Sequence, residues 1–272
     1  MMKKNRFRSL LALAVFLPVI LFALSSRSKA LPLHDDELAR RLHQGFTLAF
    51  ATPEGFKETG VFKILGYLEP EVAMIHKITP KPASLKIEYS DSGEVGKFSS
   101  IKVICSQVKY YSLTIATATF EFPNCRLDDE ALRNNRIRFL DTDEIRLKTE
   151  VSEGDILKVF DLYAQARSLR DLRLELKQNR ANLGGWFRKG ILTVKFEVRG
   201  DIKLVSPKVV NFNCDRLTLN RIPLPRNAAR SMIANINPVF DSRKTWLNLN
   251  IDSINILDGF VETNARINRR EG

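Results

Sequence analysis

Few residues of this 272-residue chain are of types that do chemistry: three histidines, three cysteines and two short acidic clusters. His34 and His43 stand nine residues apart, too far for two metal ligands on adjacent helical turns, and the third histidine is His76. An enzyme would need these histidines, or a pair of acids, to converge in one cleft. Cys105, Cys125 and Cys214 include no Cys-x-x-Cys pair, which disfavours zinc and thioredoxin-like chemistry. All three lie in apolar, strand-like surroundings and read as small buried hydrophobes, with a Cys105–Cys125 bridge as an open alternative that is not predicted. Asp128-Asp129-Glu130 and Asp141-x-Asp143-Glu144 lack the spacing and central glycine of a calcium loop, and read as solvated loops. Gly184-Gly185 has no helix directly after it and reads as a tight turn. There is no Gly-x-Ser-x-Gly elbow, no phosphate-cradling glycine loop and no His-Glu-x-x-His. No catalytic residue, metal or cofactor is therefore expected. Trp186-Phe187 beside Arg188-Lys189 is the remaining candidate: aromatics next to bases suit a membrane interface, with packing against a sheet as the competing reading.

The N-terminus points outward from the cytoplasm. Lys3, Lys4, Arg6 and Arg8 precede an uncharged apolar run of 15 residues, Leu10–Leu24, followed by small residues at Ser28 and Ala30. A basic flank, a short apolar stretch and small residues make a secretory signal, and the run falls short of the ~20 residues of a spanning helix. Cleavage after Ala30 is expected, with an uncleaved N-terminal anchor as the alternative. The chain carries +12, and six of its bases with no acids lie in residues 1–30, so the remainder carries +6. That excess modestly favours an anionic membrane surface. It does not point to nucleic acid, because no basic block is interleaved with aromatics.

The elements that would position any site are mainly strands. Residues 34–50 read as a helix with Leu38, Leu42 and Phe46 as its apolar stripe. Residues 51–98 are punctuated by proline and glycine, with short strands expected near 61–68, 71–78 and 84–90. From Lys97 the alternation sharpens into strands over 101–108, 113–122, 136–140 and 144–151. Ser152 with Asp155 resembles a capping box opening a helix with Ile156, Phe160 and Tyr163 on one face. Leu172, Leu174 and Leu176, then Leu192, Val194, Phe196 and Val198, alternate with charged residues and should share one interior. Their neighbours Arg173, Glu175, Lys177, Lys195, Glu197 and Arg199 should face water. A strand over 209–219, a helix over 226–236 with Met232 and Ile233 on its apolar side, and a hairpin turning at Asp258-Gly259 complete the chain. Strands joined by hairpins rather than helical crossovers predict an antiparallel α+β fold.

Over residues 95–268 the chain resembles the LmeA-like phospholipid-binding family of bacterial envelope proteins. The resemblance is carried by Ile236-Asn237-Pro238-Val239-Phe240-Asp241, the strand Trp246–Ile251, and Ile254-x-Ile256-Leu257-Asp258-Gly259. Upstream, it includes Gly96-Lys97-Phe98 with Ile101–Val108, and Val151–Ile156 opening a helix. It implies an α+β fold, a long curved antiparallel sheet wrapped around two or three helices, of the tubular lipid-binding (TULIP) type. The chain thus divides into a signal peptide or anchor over 1–30 and an N-terminal helix and irregular segment over 31–94, followed by what the resemblance implies is a lipid-binding domain over 95–270. The expected function is non-catalytic binding or transfer of phospholipid in the periplasm or cell envelope. The expected lining is Ile156, Phe160, Leu174, Val194, Phe196, Met232 and Ile233, with Arg188 and Lys189 meeting the head group. An envelope scaffold without a lipid ligand is the alternative.

Overall fold

The computed structural model describes residues 36–76, 81–110, 113–165, 169–189, 191–234, 237–244 and 249–270. The expected export signal over 1–30, His34, residues 111–112 and Trp246 lie outside the described residues.

Helix α1 (Asp36–Ala51) forms where expected. Leu42, Phe46 and Phe50 recur every four residues and are fully buried, so the helix presents one apolar stripe inward. Three short helices follow: α2 (Pro53–Glu58), α3 (Val61–Ile64) and α4 (Glu69–His76). The strands expected near 61–68 and 71–78 are thus replaced by helical turns. Local capping explains the difference. Gly55 N donates to Thr52 Oγ1 at 3.0 Å to open α2. Gly60, at φ 68°, makes the left-handed turn into α3 that other residues adopt rarely. Leu68 N donates to the Glu71 carboxylate at 3.0 Å at the start of α4. Buried Val61, Phe62 and Leu65 lie on one helical face, but so short an apolar run has no decisive period.

In chain order the remaining elements are β1 (Ser84–Asp91), β2 (Lys97–Tyr110), β3 (Leu113–Leu127), α5 (Asp129–Arg133), β4 (Phe139–Asp141), β5 (Glu144–Ser152) and α6 (Glu153–Gln165). Then come β6 (Leu169–Lys177), β7 (Arg180–Lys189), β8 (Leu192–Ser206), β9 (Val209–Leu219), β10 (Ile222–Pro223), α7 (Arg226–Ala234), β11 (Phe240–Asp241), β12 (Asn250–Leu257) and β13 (Phe260–Asn268). The single long sheet expected from the sequence is divided in two. The first sheet has the order β1-β2-β3-β5-β13-β12 with β4 beside β3; the second has β10-β9-β8-β7-β6 with β11 beside β9. The strand pairings are antiparallel throughout the described residues.

The sheets are divided because β12, at the edge of the first, is met by the hairpin turns of the second rather than by a strand. Asn179 N donates to Ile256 O at 2.8 Å, and Ile251 N to Pro207 O at 2.8 Å. The Asp258-Gly259 turn forms as expected and closes the junction: Gly259 N donates to Leu176 O at 3.0 Å, and Gln178 N to Asp258 Oδ1 at 2.9 Å. The second sheet is therefore rooted at its 178–179 and 207–208 turns. The 15 residues of β8 carry it away from the first sheet over about 50 Å of extended chain.

Helix α6 opens on the expected cap. Asp155 N donates to Ser152 Oγ at 3.1 Å, and Ser152 Oγ donates to Asp155 Oδ2 at 2.6 Å. The helix packs against β3, β5 and β6, and its buried Ile156 and Val159 join one hydrophobic core with Leu174 and Leu176. The same core includes Phe46 and Phe50 of α1 and Phe120 and Phe122 of β3. Asn237 explains its own place after α7. Phe212 N donates to its Oδ1 and its Nδ2 donates to Phe212 O, both at 2.9 Å, so the side chain substitutes for a strand partner of β9 before β11 takes over.

The three cysteines are free. Cys105 and Cys125 are buried in the core, and burial pushes both thiols up to about 12. Cys214 is only half-buried. Because the thiolate is the reactive form, a thiol reagent at about pH 8 is expected to label Cys214 first, with Cys105 and Cys125 protected until the chain unfolds. Peptide mapping of the labelled protein checks the order; early modification at Cys105 would show that the first sheet opens locally.

Candidate functional site

The second sheet has two unlike faces, set by strict alternation. On the first, cross-strand register builds apolar rows. Phe187 is opposite Val194; Leu174, Leu183, Val198 and Leu217 are linked across four strands; and Phe196, Leu219 and Ile222 continue outward. Leu172, beside a bulge in β6 at Asp171 (φ 51°), fits over Gly185. A Cβ on Gly185 would lie 2.6 Å from Leu172 Cδ2 and 3.1 Å from Arg170 O. Both glycines of the Gly184-Gly185 pair are thus inside β7, which corrects the tight-turn reading: Gly185 is there to let the bulged neighbour close in.

Coverage of this face is uneven. Helix α6 packs against β6, and α7, whose Ala229 is buried, against β9. Among the described residues neither helix packs closely on β7 or β8. Leu174 and Leu176 are accordingly buried, while Leu183, Val194, Phe196 and Val198 stay half-buried. At the end far from the junction, Phe187, Leu192 and Ile222 are exposed, and Ile191 at the β7–β8 turn projects fully into solvent.

The expected lining divides accordingly. Ile156 and Leu174 belong to the main core, Phe160 is half-buried against it, Val194 and Phe196 lie on the partly covered strand, and Met232 is exposed on α7. The expected common interior is realised for Leu172, Leu174 and Leu176 but only half-covered along β8, where Leu192 is exposed. Arg188 is exposed one residue beyond Phe187. The side chains of Ile233, Lys189, Tyr163 and His76 lie outside what is described.

The opposite face forms a hollow of about 830 Å³. Its lining includes Arg173, Glu175, Asn182, Gly184, Trp186, Lys195, Glu197, Arg199, Arg216, Thr218, Asn220 and Arg221, together with Asp171, Leu183, Gly185 and Val198. The charged residues expected to face water do so, but across a concave surface that the sequence reading did not anticipate. Arg216, Asn220 and Arg221 were missed altogether, although Arg216, Thr218 and Asn220 continue the polar alternation of β9. Lys195 and Glu197 pair at 2.7 Å, and this contact, aided by Arg221 and Arg216, holds the Glu197 carboxyl below its usual range. Asn182 donates to Glu175 at 3.0 Å and accepts from Arg199 at 2.8 Å. Among the described residues Arg173, Arg216 and Arg221 make no ion pair.

His43 Nε2 lies 3.1 Å from Leu85 O, a structural contact beside the first sheet. Among the described residues no three His, Cys, Asp or Glu side chains are grouped to hold a metal ion, and no helix is long and apolar enough to cross a membrane. Comparison with protein-family models, curated proteins and solved structures finds no match for this chain.

Proposed function

We propose that this chain is a non-catalytic phospholipid-binding or transfer protein of the bacterial cell envelope, with a TULIP-like use of a curved sheet. The observation supporting this reading is the apolar face of β7 and β8, half-covered along its length and running out to an exposed apolar end. Exposed apolar area of this extent favours a ligand or a partner. An acyl chain laid over Leu183, Val194, Phe196 and Val198 would gain ~0.8 kcal/mol per buried methylene, or about 8 kcal/mol for ten, before entropy losses. The head group would emerge at the far end, beside Arg188, which follows Phe187 in β7. The basic and apolar composition of residues 1–30 supports an envelope location.

Mass spectrometry of lipid extracted from the purified protein tests it. Wild type is expected to carry phospholipid, and Phe196→Asp to lose it while keeping the wild-type circular dichroism spectrum. A folded Phe196→Asp protein carrying wild-type amounts of lipid would move the site elsewhere. Lipid-free wild type would favour an envelope scaffold or assembly role.

A further inference from the structure

We propose that the polar hollow of the second sheet binds an acidic oligosaccharide. Its occupant must satisfy four features. The volume of about 830 Å³ lies within the range of small-ligand clefts. Five cationic side chains line it against three carboxylates, a surplus that calls for an anion. Arg173, Arg216 and Arg221 make no ion pair within 4 Å among the described residues, and Arg216 and Arg221 act on Glu197 only from farther away, so their planar forks can turn to a carboxylate or sulfate. Trp186 lies on the wall at 39% exposure, directly opposite Lys195, offering a flat ring with a polar edge.

The carboxylates distinguish between anions. Glu175 and Glu197 lie among the arginines and would repel the closely spaced phosphates of a nucleic acid strand, which a continuous basic groove accommodates better. They accept hydrogen bonds from hydroxyls, as Asn182 and Asn220 also can. Thr218 is a further sign of a polar occupant: it lines the hollow, is 5% exposed, and its buried Oγ1 has no hydrogen-bond partner. A ligand rich in hydroxyls, carrying scattered negative charge and presenting flat C–H faces to an aromatic ring, matches all four features. Gly184 supplies the space. It lies mid-strand between Arg173 and Glu197, and a Cβ there would meet its nearest atoms at 3.6 Å, so the floor is open because the side chain is missing rather than because one is excluded.

The polar side chains of this site alternate along the strands with the apolar ones of the proposed lipid surface, although Leu183 and Val198 border both, and the proposal does not rest on the lipid reading. Calorimetric titration of the full-length protein with tetragalacturonate, a chondroitin sulfate tetrasaccharide and neutral cellotetraose tests it. At least one acidic probe is expected to bind below about 1 mM, with cellotetraose at least roughly tenfold weaker. Trp186→Ala, Arg216→Gln with Arg221→Gln, and Gly184→Val, which fills the floor without altering charge, are each expected to weaken the acidic probe by about tenfold or more. Lipid content should stay at the wild-type level in all three, so failure here and failure of the lipid reading are separable. Absence of binding by both acidic probes, or wild-type affinity in Trp186→Ala and Gly184→Val, would overturn the proposal. Binding of polyphosphate that is insensitive to Trp186→Ala would show a general electrostatic surface instead.

Discussion

Phe46→Ala is expected to lower the unfolding free energy by about 3–5 kcal/mol, the ordinary cost of emptying a buried phenylalanine site. Phe46 is 1% exposed in the middle of α1 and touches three other rings: Phe50 at 6.1 Å, Phe122 at 6.0 Å and Phe139 at 6.4 Å between centroids. Phe50 continues the series to Phe120 at 5.2 Å and Phe56 at 5.4 Å. One side chain therefore couples α1 to β3 and β4, and truncation leaves a cavity walled by aromatics that have few directions in which to relax. Leu48→Ala, on the exposed side of the same helix at 57% exposure, provides the control and should change stability by no more than about 0.5 kcal/mol. Urea unfolding followed by circular dichroism measures both. A change under about 1 kcal/mol for Phe46→Ala would mean that α1 is not part of the cooperative core.

That aromatic contact lies between two segments that read very differently as sequence. The strand residues Ile145, Leu147, Thr149 and Val151 are buried and their neighbours are not, because each strand of the first sheet has one face on the core and one in water. Such strands announce themselves by period two. The stretch from Pro53 to His76 does not, because helices of four to eight residues are too short to display 3.6-residue spacing. Their identity is fixed by tertiary contacts. Arg270 stacks 3.8 Å over the Tyr67 ring, pairs with Glu71 at 2.8 Å and donates its backbone N to Leu65 O at 3.0 Å. Residues about 200 apart in the chain hold that segment, and no local window contains both.

The two faces of the second sheet were legible for the same reason as the strands. Leu174 and Glu175 fall on opposite sides by alternation alone. What alternation cannot convey is curvature, and curvature determines which face becomes a hollow. Here the bulges do that: Asp171 in β6 and the register shift between Arg199 and Gly200 add local twist. The hollow lies on the charged face, while the apolar residues Leu174 and Leu176 of β6 meet α6 in the core. Sequence likewise gave no measure of how far two helices would cover a five-strand path, so the incomplete burial of Val194 and Phe196 emerged only with the fold.

Gly200 is where curvature and sequence meet, and Gly200→Ala is expected to destabilise the protein by about 3 kcal/mol, the upper part of the overpacking range. Gly200 lies in β8, between Ala181 of β7 and Cys214 of β9, at the point where the register shifts. A methyl group there would fall on the carbonyl oxygen of Asn213 and within 2.6 Å of Phe212 Cζ. The ring could turn away, but the carbonyl belongs to the strand, so β9 would have to move and lose part of its pairing with β8. Phe212→Ala added to Gly200→Ala should therefore recover little stability, because the backbone obstacle remains. Gly184→Ala, one strand over, predicts the opposite sign. Its Cβ would meet only ordinary contacts at 3.6 Å, and replacing glycine in an extended strand lowers the entropy of the unfolded chain, for a gain of up to about 0.5–1 kcal/mol. Thermal unfolding of the two single variants and the double variant decides the matter. Equal tolerance of alanine at both positions would mean that β8 and β9 do not approach as closely at the bulge as the register requires, and the curvature of the polar hollow would have to arise elsewhere.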